Sequence, residues 1–317
     1  MRAENERGDL VALTGVTGFV GQAVLLAAAR HRIEVRALTR RKQRLRGGVE
    51  WIAGDLADTT ALRLLMTGAS AVIHIAGVVN APDAAGFEEG NVQGTLRVIE
   101  AAHGAGVQRL IHVSSLAARE PDLSMYGASK LRGEKLVRAS GLDWSVVRPP
   151  AVFGPRDTEM LELFRLARRG IVPLPPPGRL SVIHVADLAE LLLALLPSGE
   201  DVTRMVFEPD DGEPGGWTHV RLAHAIGAAV NGEGRKDRPV RALSLSPGMV
   251  GFAARADRLL RGRKAKLTPD RARYICHPDW TVGEGALPPR DLWRPRIDTR
   301  EGLHATAAWY REAGWLK

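Results

Sequence analysis

The segment SMYGASK, residues 124–130, sets a phenol and an ammonium four positions apart. On a helix this spacing puts Tyr126 and Lys130 on one face, one turn apart. A free phenol keeps its proton up to a pKa of about 10, and a neighbouring cation favours the phenolate. Lowering that pKa by roughly three units corresponds to about 4 kcal/mol of differential stabilisation. A tyrosine tuned in this way gives a proton to a carbonyl oxygen or takes one from an alcohol. Ser115, the second serine of VSS (113–115), is a further hydroxyl whose place relative to the pair no local spacing sets. Taken alone, the pair is an ordinary helical surface feature and the serines simply end a strand. The surrounding elements must bring the three together.

Those elements are legible. The runs LVALT (10–14), EVRALT (34–39), VEWIAG (49–54), AVIHIAG (71–77), QRLIHVSS (108–115) and DWSVVRPP (143–150) read as strands. Several are apolar at consecutive positions, as strands covered on both faces require. Helical patterns fall between them at 20–31, 60–66, 87–104 and 125–140. Strand, helix, strand at this spacing implies right-handed crossovers and a doubly wound parallel α/β sheet. The second half is less regular. It offers an amphipathic helix at 159–170, a proline-rich loop VPLPPPG (172–178), a mostly buried helix at 184–196 and a strand at RMVFEP. A smaller C-terminal region is expected to close over the strand ends.

The first strand runs directly into TGVTGFVGQAVLL. Gly15 permits the tight turn, Gly18 lets backbone approach a phosphate, and Gly21 lets the helix pack near the sheet. With Thr17, Phe19 and Val20 they form a loop and first helical turn whose free N–H groups suit a pyrophosphate. The spacing is GxxGxxG, and its position between first strand and first helix predicts dinucleotide binding. An NAD site usually has an acid at the end of the second strand. Here Arg40 and Arg41 stand there, suited to pairing with a 2′-phosphate, so NADP(H) is expected over NAD(H), which stays open.

At this point the chain resembles the extended short-chain dehydrogenase/reductase family, of the NAD-dependent epimerase/dehydratase type. Seven ordered motifs across residues 8–210 carry the likeness: TGVTGFVG (14–21), GDLAD (54–58), HIAG (74–77), NVQGT (91–95), VSS (113–115), YGASK (126–130) and RPPAVFGP (148–155). The resemblance implies a Rossmann-type domain over 1–155, completed by about 181–210, and a substrate-binding region from 156–180 and 211–317. It implies Ser115, Tyr126 and Lys130 as the catalytic set. It places Asp55 and Leu56 at the adenine, and Ala76, Gly77 and Val78 along the cofactor ribose. Asn91 takes a structural role, and residues from Pro149 to Val152 lie along the nicotinamide. Read alone, Asp55 is a turn residue or helix cap and His74 a core histidine.

The activity this implies is NADP(H)-dependent interconversion of a ketone and a secondary alcohol. Tyr126 protonates the carbonyl in one direction and deprotonates the alcohol in the other. Relatives include nucleotide-sugar epimerases and dehydratases, and NADPH-binding sensors or complex subunits. The sugar enzymes often carry Asn near RPPAVFGP, where Ala151 stands here, and dehydratases often have acids beside the serine, where Leu116 and Ala117 follow Ser115. Sensors often lack the tyrosine or lysine, both of which this chain keeps. Val78, Val79, Leu116, Phe153 and the VPLPPPG segment suggest an apolar pocket and a steroid-, flavonoid- or sphingoid-like ketone.

Composition bounds the rest. The 317 residues are 45% hydrophobic and 25% charged, ordinary for a globular chain. One cysteine, Cys276, excludes an intrachain disulfide framework, and the scattered histidines give no metal-ligand cluster. The first residues, MRAENERGDL, lack an apolar signal core, and the expected compartment is the cytoplasm. The net charge of +8 is uneven. Between Arg255 and Arg273 eight Lys or Arg face two acids. Within GMVGFAARADRLLRGRKAK (248–266), Met249, Phe252, Ala253, Ala256, Leu259 and Leu260 share one helical face. Two readings follow: a core-packed helix with a solvated basic rim, or a peripheral membrane contact. No nucleic-acid module is present. By the same resemblance, helices 87–104 and 125–140 are candidates for a homodimer seam.

Overall fold

The computed structural model describes residues 10–231, 240–262, 265 and 267–316. In chain order the strands are β1 (Leu10–Thr14), β2 (Glu34–Thr39), β3 (Val49–Ala53), β4 (Ala71–His74), β5 (Arg109–Val113), β6 (Asp143–Val147), β7 (Ala151–Phe153), β8 (Ile171–Leu174), β9 (Arg179–Leu180), β10 (Val182–His184), β11 (Met205–Phe207), β12 (Trp217–Thr218), β13 (Arg241–Ser244) and β14 (Asp279–Trp280). The helices are α1 (Phe19–Arg30), α2 (Thr59–Met66), α3 (Ala84–Phe87), α4 (Gly94–Ala105), α5 (Met125–Ala139), α6 (Leu161–Arg168), α7 (Val185–Ala194), α8 (His219–Asn231), α9 (Pro247–Arg261), α10 (Pro269–Ile275) and α11 (Thr299–Glu312).

Seven strands form one sheet in the order β11-β6-β5-β4-β1-β2-β3. Every neighbouring pair is parallel. All residues of β4 and β5 are buried, as expected of central strands covered on both faces. One face packs on α1 and α7 through Val24, Leu25, Leu188, Leu191 and Leu192. The other packs on α2, α4 and α5 through Leu62, Leu65, Val98 and Val137. Each such side chain contributes about 1.5–3 kcal/mol by leaving water. The chain winds from β1 out to β3 and then crosses back to β4 on the other side of β1. The carboxyl ends of β1 and β4 therefore flank the topological switch point, where ligands bind in open α/β sheets.

Four expectations change. The helix expected over 87–104 is interrupted: a π-helical segment spans Glu88–Gln93 before α4 begins. Its wide turn holds the buried Asn91. The segment read as a proline-rich loop begins as β8, paired with β13 in parallel. Its exposure alternates, with Val172 and Leu174 inward and Pro173 outward, and a two-stranded pair tolerates the missing proline N–H. Phe153 is fully buried with Phe164, Tyr310 and Leu303, so it is a core residue and lines no pocket.

The fourth change concerns α9. Of its side chains, Val250 and Ala254 are buried, against Ala272 of α10. The apolar stripe singled out in the sequence faces outward, so the core-packed reading of that stripe fails. Arg263, Lys264 and Lys266 lie outside the described residues. Among the described residues, no helix is long and apolar enough to cross a membrane.

Candidate active site

Because the strands are parallel, the loops leaving their carboxyl ends share one edge of the sheet. Gly15 to Gly18 follow β1, Arg40 and Arg41 follow β2, and Asp55 and Leu56 follow β3. Ala76 to Val78 follow β4, Ser115 follows β5, and Pro149 follows β6 with Val152 in β7. The topology thus gathers every candidate residue on one side.

The glycine loop meets the conditions for close approach. Gly15 has φ of +75°, and a Cβ there would sit 2.6 Å from the Ala76 nitrogen. A Cβ at Gly21 would lie 2.2 Å from the Gly15 oxygen. At Gly18 an added Cβ would meet only the Gly15 oxygen, at 3.3 Å, and its other side is open. Gly18 is also the N-cap of α1, and no side chain caps that terminus. Uncapped N–H groups at Phe19, Val20 and Gly21 fit an anionic ligand such as a pyrophosphate. Thr17 and Gly18 are exposed at the rim. Arg40 and Arg41 are exposed too, and neither has a carboxylate partner among the described residues. Asp55 is exposed, and its Oδ1 accepts the Ala57 N–H at 2.8 Å, a turn contact that leaves the second oxygen for a ligand.

The strap after β4 is held from below. Asn91 accepts the Val78 N–H at 2.7 Å, donates to the Val78 carbonyl at 2.9 Å and donates to Ser129 Oγ at 2.8 Å. Ser129 in turn donates to the Tyr126 carbonyl at 2.7 Å. The π-helical segment and α5 are thereby locked to the Val78 backbone. His74 is a satisfied core residue. It pairs with Thr14 at 2.7 Å and Thr95 at 3.2 Å, and burial pulls its pKa to about 3, keeping it neutral.

Ser124 caps α5 by accepting the Gly127 N–H at 3.0 Å, which sets the first turn carrying Tyr126. The Ser115 hydroxyl, at the end of β5, lies near enough to Tyr126 to act on its proton. Burial pushes the Tyr126 pKa up, Ser115 opposes the rise, and the nearby Glu159 adds to it. The lowering expected from Lys130 is not realised in the chain by itself: Tyr126 is held as a protonated donor. Lys130 is buried on the next turn, where Nζ donates to the Val113 carbonyl at 2.7 Å. It also lies 3.5 Å from where a Gly77 Cβ would stand, which puts the ammonium under the strap.

Burial lowers the Lys130 pKa to about 8, with Glu134 opposing. The unfolded chain, near 10.4, then binds more protons than the folded one between about pH 8 and 10.4, so Lys130 makes stability rise with pH across that window. The full effect is on the order of 3 kcal/mol. Chemical denaturation of wild type and Lys130→Met is expected to show it. The variant's advantage near pH 7.5 shrinks as pH approaches 10.

Glu134 and its partners were not singled out in the sequence. Its carboxylate is fully buried and takes both Arg148 Nε (2.8 Å) and an Arg148 terminal nitrogen (2.7 Å), plus Ser114 Oγ at 2.6 Å. Arg148 reaches on to Glu208 at 3.3 Å, and Arg119 reaches Glu208 at 3.5 Å. One signal was available: Glu134 stands four residues after Lys130, on the same helical face. No signal pointed to Asp270. Its carboxylate on α10 accepts the Met125 N–H at 3.0 Å, an orphan donor at the start of α5. Tyr274, on the same helix, is close enough for Tyr126 to push its pKa up.

A model of the NAD dependent epimerase/dehydratase family matches residues 11–206. The chain belongs to that family. Within it, a ceramide reductase of Caulobacter vibrioides is 38% identical, covering 99% of this chain and 98% of that protein. A 2-alkyl-3-oxoalkanoate reductase of Stenotrophomonas maltophilia is 29% identical, covering 94% and 98%. Among solved structures, MoeE5 in complex with UDP-glucose and NAD superposes with a TM-score of 0.70 at 24% identity, covering 96% of this chain and 99% of that one. At that identity the likeness is one of fold. The family member described here is an NAD(P)-dependent oxidoreductase.

Proposed function

We propose that the protein reduces the ketone of a long-chain, sphingoid- or ceramide-like lipid, with NADPH as the preferred cofactor. The observation that carries the chemistry is Tyr126 on the first turn of the Ser124-capped α5, beside Ser115, with Lys130 pinned to the Val113 carbonyl one turn further on. The lipid substrate class is supported by the whole-length likeness to a ceramide reductase.

The nicotinamide, when bound, supplies the hydride. The chain's own part is proton transfer and positioning. Tyr126, held protonated by burial, gives its proton to the carbonyl oxygen as that oxygen gains charge. Ser115 donates to the same oxygen and restrains the developing negative charge. Lys130, fixed to Val113, stands ready to orient a ribose hydroxyl beside Gly77 and to offset charge left on the phenolate. The backbone of the glycine loop would hold the pyrophosphate, and Ala76 to Val78, Pro149 and Val152 would bound the ribose and nicotinamide. Residues 156–180 and 211–317 would form most of the substrate-binding region.

Arg40 and Arg41 carry the NADPH preference. Replacing both with Ser is expected to weaken NADPH binding about tenfold or more while leaving NADH binding nearly unchanged, as titration of cofactor fluorescence would show. The function itself is tested by following NADPH oxidation over a panel of long-chain keto-lipids, steroid ketones and nucleotide sugars. Turnover confined to the keto-lipids supports the reading. Cofactor binding without turnover on any member of the panel refutes it in favour of a binding protein. Turnover of nucleotide sugars refutes the lipid assignment.

A further inference from the structure

We propose that α9 is a docking surface for an anionic lipid bilayer, carried on the hairpin that also caps the helix of Tyr126. The exposures make the case. Met249 is 56% exposed, Phe252 73%, Leu259 87% and Leu260 83%. At roughly 100° per residue these four, with Ala253 and Ala256, fall within an arc of about 120°. The opposite side of the helix carries Val250 and Ala254, which seat it on Ala272 of α10. A helix that turns its bulky apolar side chains outward, and its smaller ones inward, is built for an external apolar phase.

The charges say which phase. Arg255 falls about 40° beyond one edge of the apolar arc and Arg258 about 100° beyond it; both are exposed and have no carboxylate partner among the described residues. Arg261 follows at the end of the helix, paired with Asp257 at 3.2 Å. The sequence continues with Arg263, Lys264 and Lys266. An apolar arc with the unpaired Arg255 guanidinium near one edge and Arg258 further round matches the acyl and phosphate layers of an anionic membrane. The helix is also preformed: Ser246 caps it and Pro247 occupies its first position.

The surface sits close to the chemistry. Asp270 of the neighbouring α10 holds the Met125 N–H, one residue before Tyr126. A lipid leaving the bilayer at α9 would therefore enter beside the proton donor. That purpose rests on the keto-lipid reading above, whereas the contact itself does not.

The test is sedimentation of the purified full chain with neutral phosphatidylcholine vesicles and with vesicles also containing phosphatidylglycerol. The chain is expected to bind the anionic vesicles on the order of 30-fold better, with the preference lost in high salt. Phe252→Asp with Leu259→Asp and Leu260→Asp should abolish binding to both. The charge reversal Arg255→Glu with Arg258→Glu, which leaves the apolar arc intact, should abolish the anionic preference. Circular dichroism and NADPH binding confirm that each variant is folded. Equal binding to both vesicle types, no binding, or full binding by either variant overturns the proposal. So does a concentration-dependent dimer that the triple variant dissolves without any vesicle binding. Ketone turnover without vesicle binding sinks the docking surface alone, and vesicle binding without ketone turnover sinks the keto-lipid reading alone.

Discussion

Replacing Tyr126 with Phe is expected to lower ketone turnover by about 10²- to 10⁴-fold while NADPH still binds. The substitution removes the proposed proton donor and little else. The ring keeps its place near Phe87, at a centroid separation of 6.2 Å. Ser115 keeps its contact with the Ala117 N–H, so the turn after β5 holds. Asn91, Ser129 and Lys130 do not depend on the phenolic oxygen. Stopped-flow or steady-state turnover, set beside cofactor titration, separates the two effects. A variant that keeps near-wild-type turnover on an identified substrate removes Tyr126 from the mechanism.

Glu134→Ala is expected to destabilise the fold by about 3–5 kcal/mol, the range for breaking a buried ion pair on one side. The loss takes two charge-assisted hydrogen bonds from Arg148, leaving it only the longer contact to Glu208, and leaves Ser114 Oγ without its acceptor. It also removes the one charge that supports the Lys130 ammonium against burial, so the Lys130 pKa falls further below about 8. Urea denaturation measures the first effect, and the alkaline limb of any activity profile the second. Glu134→Gln keeps the hydrogen-bonding shape without the charge and is expected to fall between the variant and wild type. An unchanged denaturation midpoint in Glu134→Ala would show the network to be dispensable.

The strands and most of the helices of the nucleotide-binding half were readable because their signals are local. Consecutive apolar runs marked β1, β4 and β5, and the glycine triad marked the turn into α1. Tyr126 and Lys130 were readable for the same reason: one helical turn separates them. The π-helical segment was not, because it differs from an α-helix by one residue in its turn, and no side-chain pattern records that. Phe153 was misread as a pocket residue because an aromatic beside a motif looks the same whether it faces a ligand or the core. Asp270 lies 145 residues from its partner Met125, and no spacing rule spans that distance. In α9 the apolar stripe was legible, but whether it turned inward or outward depended on the neighbours, Ala272 and Cys276, that tertiary packing supplied.

The cap that Asp270 places on α5 also orders events during synthesis. The parallel sheet can pair once β11 has emerged, because all its strands lie before residue 208. The first turn bearing Tyr126 waits for another sixty or so residues before its leading N–H finds a partner. A nascent chain can thus hold a finished parallel sheet while the turn bearing Tyr126 is still loosely anchored, and that turn gains its last partner when α10 docks.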